Sequence, residues 1–586
     1  MSATTLPDQP VAARADAATL VGLLADRVRA DPDSRVMTFL ERGEEETDVL
    51  TIATLDRQAR ALAASLQRKV APGERALLFF KPGLSFAVAY WGCLYAGVVA
   101  VPVPSPGVRA LVSESGLRAV ARDCAATLLL TTADIAARLD AAKLDAGALT
   151  PLAIDDVPDA LADTWRAPPL GPQTIAHLQY SSGSTGEPKG VVITHANVLG
   201  NLEVISISGG GYREGDAGVN WLPMFHDMGL ITTVLLPVYS GAPSWYMSPL
   251  AFLQRPLRWL SAISAVRATC SAAPNFALDM CVAQVGAQER AELDLSSMRA
   301  LAVGSEPTRS ASVHRFVEAF TPSGFDVCAM SPCYGLAEAT LQVSGGPLGR
   351  GITELAVAGA ELSAGHVAPA RGDARTRTLV GCGEVSAGIE VAIVDPQSCL
   401  PLPGDTVGEI LVRGVSVASG YWNNQDATAQ TFAVEIPGRG GGFMRTGDLG
   451  FLLADQLYVT GRLKDLLIVN GQNHYPHDFE LTAALSHPAL RRDGCVAFAV
   501  DDEGGERIVI VAEVQRRARK LPADSSTIPQ HDVVTSVRSA IARDHDVTVH
   551  DVVLVRRVPR TSSGKLRRRA CRDMYLEGSL AAGSAR

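Results

Sequence analysis

A glycine- and hydroxyl-rich segment of the sequence has the composition of an anion-binding loop. Residues 180–190 read Tyr-Ser-Ser-Gly-Ser-Thr-Gly-Glu-Pro-Lys-Gly and follow a predicted strand over residues 174–180. Glycines let backbone amides approach an anion without a Cβ in the way, the hydroxyls add donors, and Lys189 supplies positive charge. No Gly-Lys-Ser/Thr follows, and Pro188 disfavours a helix at the lysine, which excludes a Walker A loop. A phosphate site is predicted, with a plain surface turn as the alternative.

Alternating strand and helix patterns predict the scaffold that positions this loop. Residues 86–103 carry no charge and are nearly long enough to span a membrane, but glycines and Pro102 interrupt them. We interpret them as a helix that ends at Gly97, followed by a strand over residues 98–103, with a further strand upstream. Such βαβ units predict an α/β N-terminal region with a parallel sheet that is buried on both faces.

The pattern changes in the second half of the chain. Residues 354–373 lack a clear period, and the segments that follow are more typical of strands. The run Gly-Arg-Gly-Gly-Gly at 438–442 predicts a flexible loop.

Composition and charge exclude several classes of protein. Of the 586 residues, 47% are hydrophobic and 20% are charged, which excludes a disordered or fibrous chain. The net charge of −9 argues against a general nucleic-acid binder. Residues 505–586, however, contain 16 basic and 9 acidic side chains. This imbalance predicts a distinct C-terminal part with its own partner, and a merely solvated basic surface is the alternative.

The cysteines and the N-terminus show no sign of secretion or of a structural metal. The sequence has ten cysteines but no Cys-x-x-Cys pair, and no His/Cys pair follows Cys328 and Cys333 at zinc-site spacing. Residues 1–17 contain no apolar stretch of a signal peptide. We therefore expect reduced thiols, a cytoplasmic location and no membrane span.

Several motifs, in a fixed order, resemble those of the adenylate-forming superfamily, which contains acyl-CoA synthetases, nonribosomal peptide adenylation domains and luciferases. The resemblance extends over nearly the whole chain. After the phosphate loop, the matching segments are Gly304-Ser-Glu-Pro307, Ser331-Pro-Cys-Tyr-Gly-Leu-Ala-Glu-Ala-Thr340, Arg445-Thr-Gly-Asp-Leu449, Gly461-Arg-Leu-Lys-Asp465 and Pro559-Arg-Thr-Ser-Ser-Gly-Lys565.

Within this superfamily the chain resembles the fatty acyl-AMP ligases. Residues 221–230 and 470–480 resemble that family's segments, and a long polar stretch over residues 341–381 resembles its insertion. Ala337 stands where most of the wider superfamily has threonine. The missing hydroxyl implies that Ser184 or Thr185 makes the corresponding phosphate contacts.

The resemblance implies that a carboxylate attacks the α-phosphorus of ATP to give an acyl-adenylate and pyrophosphate. A carboxylate is already ionised at pH 7, so the site needs positioning and charge neutralisation and no general base. Lys565 would bridge the two anions, Lys189 would hold phosphate, Glu338 would bind Mg²⁺, and His226 would gate the acyl tunnel.

The remaining implied roles concern the nucleotide and the acyl chain. The acyl-binding residues would be Met224, His226 and Asp227. The residues implied to bind ATP or the adenylate are Ser181, Ser182, Gly183, Ser184, Thr185, Gly186, Lys189, Gly304, Ser305, Glu306, Pro307, Cys333, Tyr334, Gly335, Leu336, Ala337, Asp448, Arg462 and Lys565.

Each of these roles has a structural alternative. Tyr334 and His226 could be core residues, Glu338 could cap a helix, Asp448 could belong to a turn, and Lys565 could be solvated surface. The order of the motifs along the chain favours the functional interpretation.

The resemblance also implies two domains that move relative to one another. We expect an adenylate-forming domain over residues 1–462, with the insertion at 341–381, and a small α+β C-terminal domain over residues 463–586. Lys464 is the expected hinge, because rotation there would bring Lys565 into the site for adenylation and remove it for thiol transfer.

The expected partners are a fatty acid and an acyl carrier protein, and the protein is expected to be a monomer. The chain ends soon after the lysine loop, so the carrier is expected to act in trans. Because carriers are typically acidic, Arg516, Arg517 and Arg519 are the first candidates for docking.

Three rivals remain. The first is an acyl-CoA synthetase that uses free coenzyme A, against which the 341–381 stretch argues. The second is an amino-acid-activating domain, but the segment after Ser271 has no acidic residue before Asp279 to hold an amine. The third is an inactive carrier-docking protein, against which the intact Lys189, Glu338 and Lys565 argue.

Overall fold

The computed structural model describes residues 17–104, 114–141, 149–181, 188–208, 212–213, 215–371, 376–469, 472–502, 505–515, 530–561 and 565–580. The middle of the predicted phosphate loop, Ser182 to Gly186, lies outside the described residues. So do the candidate docking residues Arg516, Arg517 and Arg519.

The first part of the chain alternates strands and helices, as the sequence predicts. Its strands are β1 (Arg35–Glu41), β2 (Glu45–Thr51), β3 (Arg75–Leu78), β4 (Val99–Pro102), β5 (Leu128–Thr131), β6 (Thr150–Ala153), β7 (Ile175–Ser181), β8 (Lys189–Thr194), β9 (Gly218–Asn220), β10 (Ser244–Met247), β11 (Cys270–Ala273), β12 (Ala300–Val303) and β13 (Met330–Pro332). Its helices are α1 (Leu20–Ala30), α2 (Ile52–Gln67), α3 (Ser85–Ala96), α4 (Glu114–Asp123), α5 (Ala133–Ala141), α6 (His195–Ser208), α7 (Asp227–Gly229), α8 (Leu236–Ser240), α9 (Pro249–Gln254), α10 (Leu257–Val266), α11 (Asn275–Gln284), α12 (Ala287–Ala291) and α13 (Ser310–Phe320).

These strands form two sheets that are mostly parallel. One has the order β6-β5-β3-β4-β7-β8 and the other the order β13-β12-β11-β9-β10-β1-β2. Within them only β7–β8 and β1–β2 are antiparallel among the described strands. Parallel strands bring their carboxyl ends to one edge of a sheet, which is where ligands bind in open α/β folds.

The uncharged stretch over residues 86–103 is a core helix followed by a strand. α3 is buried around nearly its whole circumference, as expected of a helix that is apolar on every side. It ends at Gly97, whose φ of 70° is left-handed, and β4 then pairs parallel to β3. Among the described residues no helix is both long and apolar enough to cross a membrane.

The middle of the chain is rich in β-structure. Its strands are β14 (Tyr334–Gly335), β15 (Gln342–Gly345), β16 (Glu354–Ala358), β17 (Thr376–Val380), β18 (Glu384–Val385), β19 (Ile389–Val394), β20 (Gly408–Gly414), β21 (Val434–Ile436), β22 (Gly440–Leu453) and β23 (Gln456–Arg462), with the helices α14 (Gly359–Ser363) and α15 (Gln425–Thr431). β16 and β17 pair with each other, and the others form an eight-stranded antiparallel sheet.

Residues 354–373, whose sequence lacks a clear period, contain β16 and α14. The expectation of a flexible loop over residues 438–442 is wrong, because Gly440 begins β22 and pairs with Ile436. Left-handed φ values of 79° at Gly438 and 80° at Gly440 make this tight hairpin possible, so the glycines are explained by the turn.

The last part of the chain has its own core. It contains β24 (Leu467–Val469), β25 (Gln472–His474), α16 (Pro476–Ser486), β26 (Leu490–Asp502), β27 (Gly505–Val514), α17 (Gln530–His545), β28 (Val549–Val555) and α18 (Arg568–Leu576). Two apolar clusters, one around Phe479 and Ile510 and one around Phe498 and Cys571, consist only of residues from this part. The α/β fold class with a β-rich region and a small α+β C-terminal part is therefore confirmed.

Candidate active site

The predicted phosphate loop joins the two strands of a hairpin. β7 and β8 pair antiparallel, with Ser181 opposite Lys189 and Tyr180 opposite Gly190. A Cβ at Gly190 would lie 2.9 Å from the Tyr180 ring, so this close approach requires glycine. The hairpin thereby places the backbone of Lys189 next to that of Ser181.

Lys189 and Glu338 share one neighbour, Tyr421, which the sequence analysis did not identify. The Lys189 Nζ lies 4.9 Å from the centre of the Tyr421 ring. The Tyr421 hydroxyl donates a hydrogen bond of 3.0 Å to Glu338 Oε1. Burial raises the pKa of Glu338, as expected of a carboxylate held in a protein interior. A positive charge beside this carboxylate would offset the cost of its burial.

The signal that could have marked Tyr421 is weak. It stands in the segment Ala-Ser-Gly-Tyr-Trp after a predicted strand, without a charged neighbour. An aromatic residue in such a context is far more often part of the core.

Asp448 is the centre of a second polar group. It accepts hydrogen bonds from the Tyr334 hydroxyl at 2.8 Å and from Arg462 Nε at 3.1 Å. Asp448 on β22 stands directly opposite Arg462 on β23, which explains the second contact. Burial raises the pKa of Asp448, and the charge of Arg462 opposes that rise. Such a buried acceptor is suited to hydroxyl donors of a sugar.

The loop after β12 contains the residues Gly304 to Pro307 and approaches two other loops. Ser305 has a left-handed φ of 71°, and its hydroxyl lies 3.6 Å from the Met228 sulfur. Glu306 Oε1 accepts a hydrogen bond of 3.2 Å from the Phe276 amide, and Pro307 accepts one of 2.7 Å from Asn275. A Cβ at Gly304 would lie 2.9 Å from Cys333 Sγ. The loop is therefore packed tightly against the start of α11 and the end of β13.

The turn after β13 carries Tyr334 and Glu338 in fixed positions. The Leu336 amide donates to the Leu341 carbonyl at 2.9 Å, and Ala337 is buried. A Cβ at Gly335 would lie only 1.8 Å from the Leu341 oxygen, so no other residue fits there without a shift of the backbone. This turn directs Tyr334 to Asp448 and Glu338 to Tyr421.

His226 Nδ1 contacts the carboxylate of Asp227 at the start of α7, in the segment after β9. Burial opposes ionisation of Asp227, but the neighbouring His226 and Lys565 lower the pKa of Asp227 to about 2. Gln179 on β7 holds this loop by donating a hydrogen bond of 3.0 Å to the Phe225 carbonyl. Met224 is buried next to them. Asp227 is therefore an anion that faces the lysine of the C-terminal part.

Lys565 lies inside the same site although it is far along the chain. It is half-buried, and this partial burial lowers its pKa, while the charges of Asp227, Glu306 and Asp448 oppose that change. Its backbone is fixed by Thr561, whose hydroxyl accepts from the Lys565 amide at 3.0 Å. The charges that act on Lys565 thus come from the segment after β9, the loop after β12 and β22, which favours a role in the site over a solvated surface position.

The expected hinge lies between β23 and β24. Leu463–Asp465 form a 3₁₀ turn that contains Lys464. Arg568 at the start of α18 binds Asp465 at 3.0 Å and Glu480 at 2.7 Å. Through Asp465, the turn is therefore bound to α18 of the C-terminal part.

A cavity lies along one face of the seven-stranded sheet. It encloses about 740 Å³ that no protein atom occupies, part of it open to solvent. The strands contribute small side chains, and helical residues such as Ile205 and Leu236 cover the opposite side. The strand residues that line the cavity are Gly218, Asn220, Ser244, Cys270, Ser271, Ala272, Ala300, Ala302 and Ser331.

The cavity lies directly below the polar site. Ala302 and Ser331 line the cavity, and each is only three residues from a site residue, Ser305 and Tyr334. Since a strand rises about 3.3 Å per residue, the two regions are about 10 Å apart along these strands. Met224, His226 and Asp227 are not among the residues that line it.

Two parts of the sequence match known protein families. Residues 24–422 match the AMP-binding enzyme family. Residues 464–585 match the AMP domain of Disco-interacting protein 2-like proteins.

Two similar proteins align with almost the whole chain. A medium-chain fatty acid–acyl carrier protein ligase, JamA of Moorena producens, is 42% identical, with 97% of each chain covered. The long-chain fatty acid–AMP ligase FadD32 of Mycolicibacterium smegmatis is 37% identical, with 97% of this chain and 96% of the relative covered.

Solved structures of fatty acyl-adenylate ligases have the same fold. One, from a study of the E. coli and L. pneumophila enzymes, has a TM-score of 0.86 at 32% identity and covers 97% of this chain and 99% of its own. Another, the L. pneumophila enzyme in complex with acyl adenylate and pyrophosphate, has a TM-score of 0.76 at 36% identity, with 97% and 98% covered. The chain therefore belongs to the AMP-binding enzyme family and, within it, to the adenylate-forming fatty acyl-AMP ligases.

Proposed function

We propose that the protein activates a fatty acid with ATP and Mg²⁺ to an acyl-adenylate and then transfers the acyl group to the phosphopantetheine thiol of a separate acyl carrier protein. The observation that carries the proposal is the half-buried Lys565, on which the charges of Asp227, Glu306 and Asp448 act, in a polar site that adjoins an apolar cavity. A monomeric protein in the cytoplasm, with residues 1–462 and 463–586 as its two domains, belongs to the same proposal.

In the first step a carboxylate oxygen of the fatty acid bonds to the α-phosphorus, and the bond to the bridging oxygen of pyrophosphate breaks. Both reactants are anions, so the largest contribution is charge neutralisation at the α-phosphate. Lys565 supplies this charge between the carboxylate and the phosphate, and Lys189 holds the leaving phosphates. Asp448 accepts the ribose hydroxyls, and the Tyr334 ring lies against adenine.

The residues present fit a magnesium ion that is bound together with phosphate. Among the described residues no group of three or more His, Cys, Asp or Glu could hold a metal by itself. Mg²⁺ with nucleotide needs only one or two carboxylates, because phosphate and water oxygens complete its octahedron. Glu338 would be that ligand, since it is a half-buried carboxylate that shares its neighbour Tyr421 with Lys189. When bound, the ion would neutralise phosphate charge.

The cavity below the site is proposed to hold the acyl chain. Several of its hydroxyls already donate to backbone carbonyls, as Ser271 does to Val219 and Ser240 to Leu236. Their polar atoms are thereby satisfied, and mostly carbon faces the cavity. Burying each methylene of a fatty acid there contributes about 0.8 kcal/mol.

One residue that lines this cavity is expected to limit the length of the acyl chain that it can hold. Gly218 lines the cavity, and a Cβ there would make ordinary van der Waals contact with its nearest atom at 3.7 Å, so a larger side chain would occupy part of the cavity. We expect Gly218→Phe to exclude the longest acids, with a loss in kcat/KM of about tenfold for each methylene that no longer fits. A series of acids of increasing length, assayed by pyrophosphate release, measures the effect.

Two variants control this measurement. Gly218→Ala is expected to leave the length preference unchanged. Gly171→Phe places the same bulk at a position where a Cβ would meet nothing within 4 Å and which does not line the cavity. If Gly218→Phe lowers activity equally for every chain length, the acyl chain lies elsewhere.

The lowered pKa of Lys565 makes a second prediction. The lysine must be protonated to neutralise phosphate, and burial lowers its pKa from the ordinary 10.5. As pH rises through this lowered value the ammonium loses its proton, so kcat/KM for ATP should fall on the alkaline side earlier than an ordinary lysine would titrate. Lys565→Arg keeps its charge to higher pH and should shift this limb upward. An unchanged alkaline limb in Lys565→Arg would assign the titration to another group.

The function as a whole is tested by supplying fatty acids with ATP and measuring adenylate, acyl-CoA and acyl-carrier products separately. We expect rapid adenylate formation, acyl transfer to carrier and negligible acyl-CoA. A protein that makes acyl-CoA as fast as adenylate would instead be an acyl-CoA synthetase.

A further inference from the structure

The segment 418–422 connects two parts of the site that are distant in sequence. The Trp422 amide donates to the Gly190 carbonyl at 2.7 Å, and the Val192 amide donates to the Gly420 carbonyl at 2.9 Å. The Ala418 amide donates to the Glu338 carbonyl at 2.9 Å. The backbone of this segment is therefore bonded both to β8, directly after Lys189, and to the turn that carries Glu338.

One side chain of this segment contacts both charged groups. The Tyr421 hydroxyl binds Glu338 Oε1 at 3.0 Å, and the face of its ring lies 4.9 Å from Lys189 Nζ. The ring is held by an edge contact with Phe432, at 5.3 Å between centres. Its backbone amide is bonded to the Thr428 hydroxyl at 2.9 Å. These two contacts hold Tyr421 in addition to its contacts with the two charged groups.

We propose that Tyr421 is a positioning residue that keeps the phosphate-binding Lys189 and the metal-binding Glu338 apart and correctly oriented for Mg²⁺ and ATP. A lysine and a carboxylate at such a site would otherwise attract each other into a direct ion pair when nucleotide is absent. Tyr421 satisfies each charge separately: its hydroxyl occupies one carboxylate oxygen, and its ring face attracts the ammonium. A carboxylate can accept several contacts, so Glu338 keeps acceptor capacity for the cation.

This inference rests on the proposed function, because it assumes that Lys189 and Glu338 bind nucleotide and metal. Two substitutions separate the two contacts. Tyr421→Phe removes only the hydrogen bond to Glu338 and retains the ring. Tyr421→Leu removes both contacts.

The test is the binding of a non-hydrolysable ATP analogue, measured by calorimetry over a series of Mg²⁺ concentrations. For Tyr421→Phe we expect the Mg²⁺ concentration for half-maximal binding to rise by about tenfold, as for loss of a hydrogen bond to a charged group. Affinity at saturating Mg²⁺ should remain close to that of the unmodified protein. Tyr421→Leu should in addition weaken binding at saturating Mg²⁺ by about fivefold, because the ring is lost.

The chain offers a matched control for the loss of a phenol–carboxylate hydrogen bond. Tyr95 in α3 donates to Asp56 in α2 at 2.6 Å, in the buried core and away from the site. Tyr95→Phe should lower the melting temperature without changing the Mg²⁺ dependence. In steady-state adenylation, Tyr421→Phe should raise the Mg²⁺ requirement while kcat at saturating Mg²⁺ is largely retained.

The outcomes distinguish this inference from the proposed function. If the unmodified protein binds the analogue without any dependence on Mg²⁺, the proposed metal site is wrong. If it depends on Mg²⁺ but Tyr421→Phe has the same dependence, the proposed role of Tyr421 is wrong. A Tyr421→Phe protein that loses melting temperature in the same way as Tyr95→Phe, with no shift in Mg²⁺ dependence, would make Tyr421 a purely structural residue. Because phenylalanine keeps the shape of the ring, the test does not depend on the folding of Tyr421→Leu.

Discussion

Lys565→Ala should reduce adenylate formation by about 10²–10³, which corresponds to about 2.7–4 kcal/mol of lost transition-state stabilisation. The lysine is half-buried and the charges of Asp227, Glu306 and Asp448 act on it, so its removal takes positive charge away from the point where carboxylate and phosphate are proposed to meet. Arg462 also belongs to this group, where it is paired with Asp448 at 3.1 Å. The rate of pyrophosphate release measures the loss.

The same substitution should leave ATP binding largely intact. Lys189 and the hairpin of β7 and β8, which are proposed to hold the phosphates, are separate from the lysine loop. Lys81→Ala is the matched control, because Lys81 is half exposed and pairs with Asp134 on the surface. Near-normal pyrophosphate release from Lys565→Ala would show that the lysine has no part in the chemistry.

Arg377→Ala should increase acyl-CoA formation relative to adenylate by about tenfold or more. Arg377 lies in β17, within the predicted insertion at 341–381. It donates a hydrogen bond of 2.7 Å to Asp478, and its guanidinium lies 5.1 Å from the centre of the Tyr475 ring. Both partners belong to the start of α16, shortly after the hinge turn. Arg377 therefore joins the insertion to the C-terminal part.

The size of the effect follows from the strength of this contact. Hydrogen bonds between charged groups contribute about 1.5–3 kcal/mol, and each 1.4 kcal/mol changes the population of a state by about tenfold. A conformation that accepts free coenzyme A would be rare while Arg377 is bound, and more populated after its removal. An acyl carrier protein can offset the same bias by its own docking surface. Removing part of the insertion between Ser344 and Thr376, with folding preserved, should act in the same direction.

Arg413→Ala is a matched control for this prediction. Arg413 also pairs with a carboxylate, Glu390, and lies 4.4 Å from the Phe443 ring centre, but all three residues are in the β-rich region before the hinge. It should leave the product ratio unchanged. If Arg377→Ala forms no more acyl-CoA than the unmodified protein, a blocked entry for pantetheine is the better explanation.

The sequence alone was sufficient for the family and for most of the parallel scaffold. Motifs that must contact phosphate or ribose are restricted in residue type and order, so they are recognisable without a structure. The helix of residues 85–96 and its stop at Gly97 were also predictable, because apolar runs and glycine stops act locally along the chain. The hairpin at 438–442 was not, because glycines that permit a tight turn have the same composition as those of a flexible loop.

Contacts between distant segments were decided only by the tertiary structure. Tyr421 lies 83 residues from Glu338, and its ring is brought to Lys189 by the pairing of its segment with β8. Nothing in its local sequence distinguishes it from a core tyrosine. The cavity has the same origin, because Gly218, Cys270 and Ala300 are ordinary small residues until parallel pairing places them side by side on one face. Sequence patterns indicate the local helix, strand and turn preferences of a segment. A site formed by side chains from several elements depends instead on the register and packing of those elements.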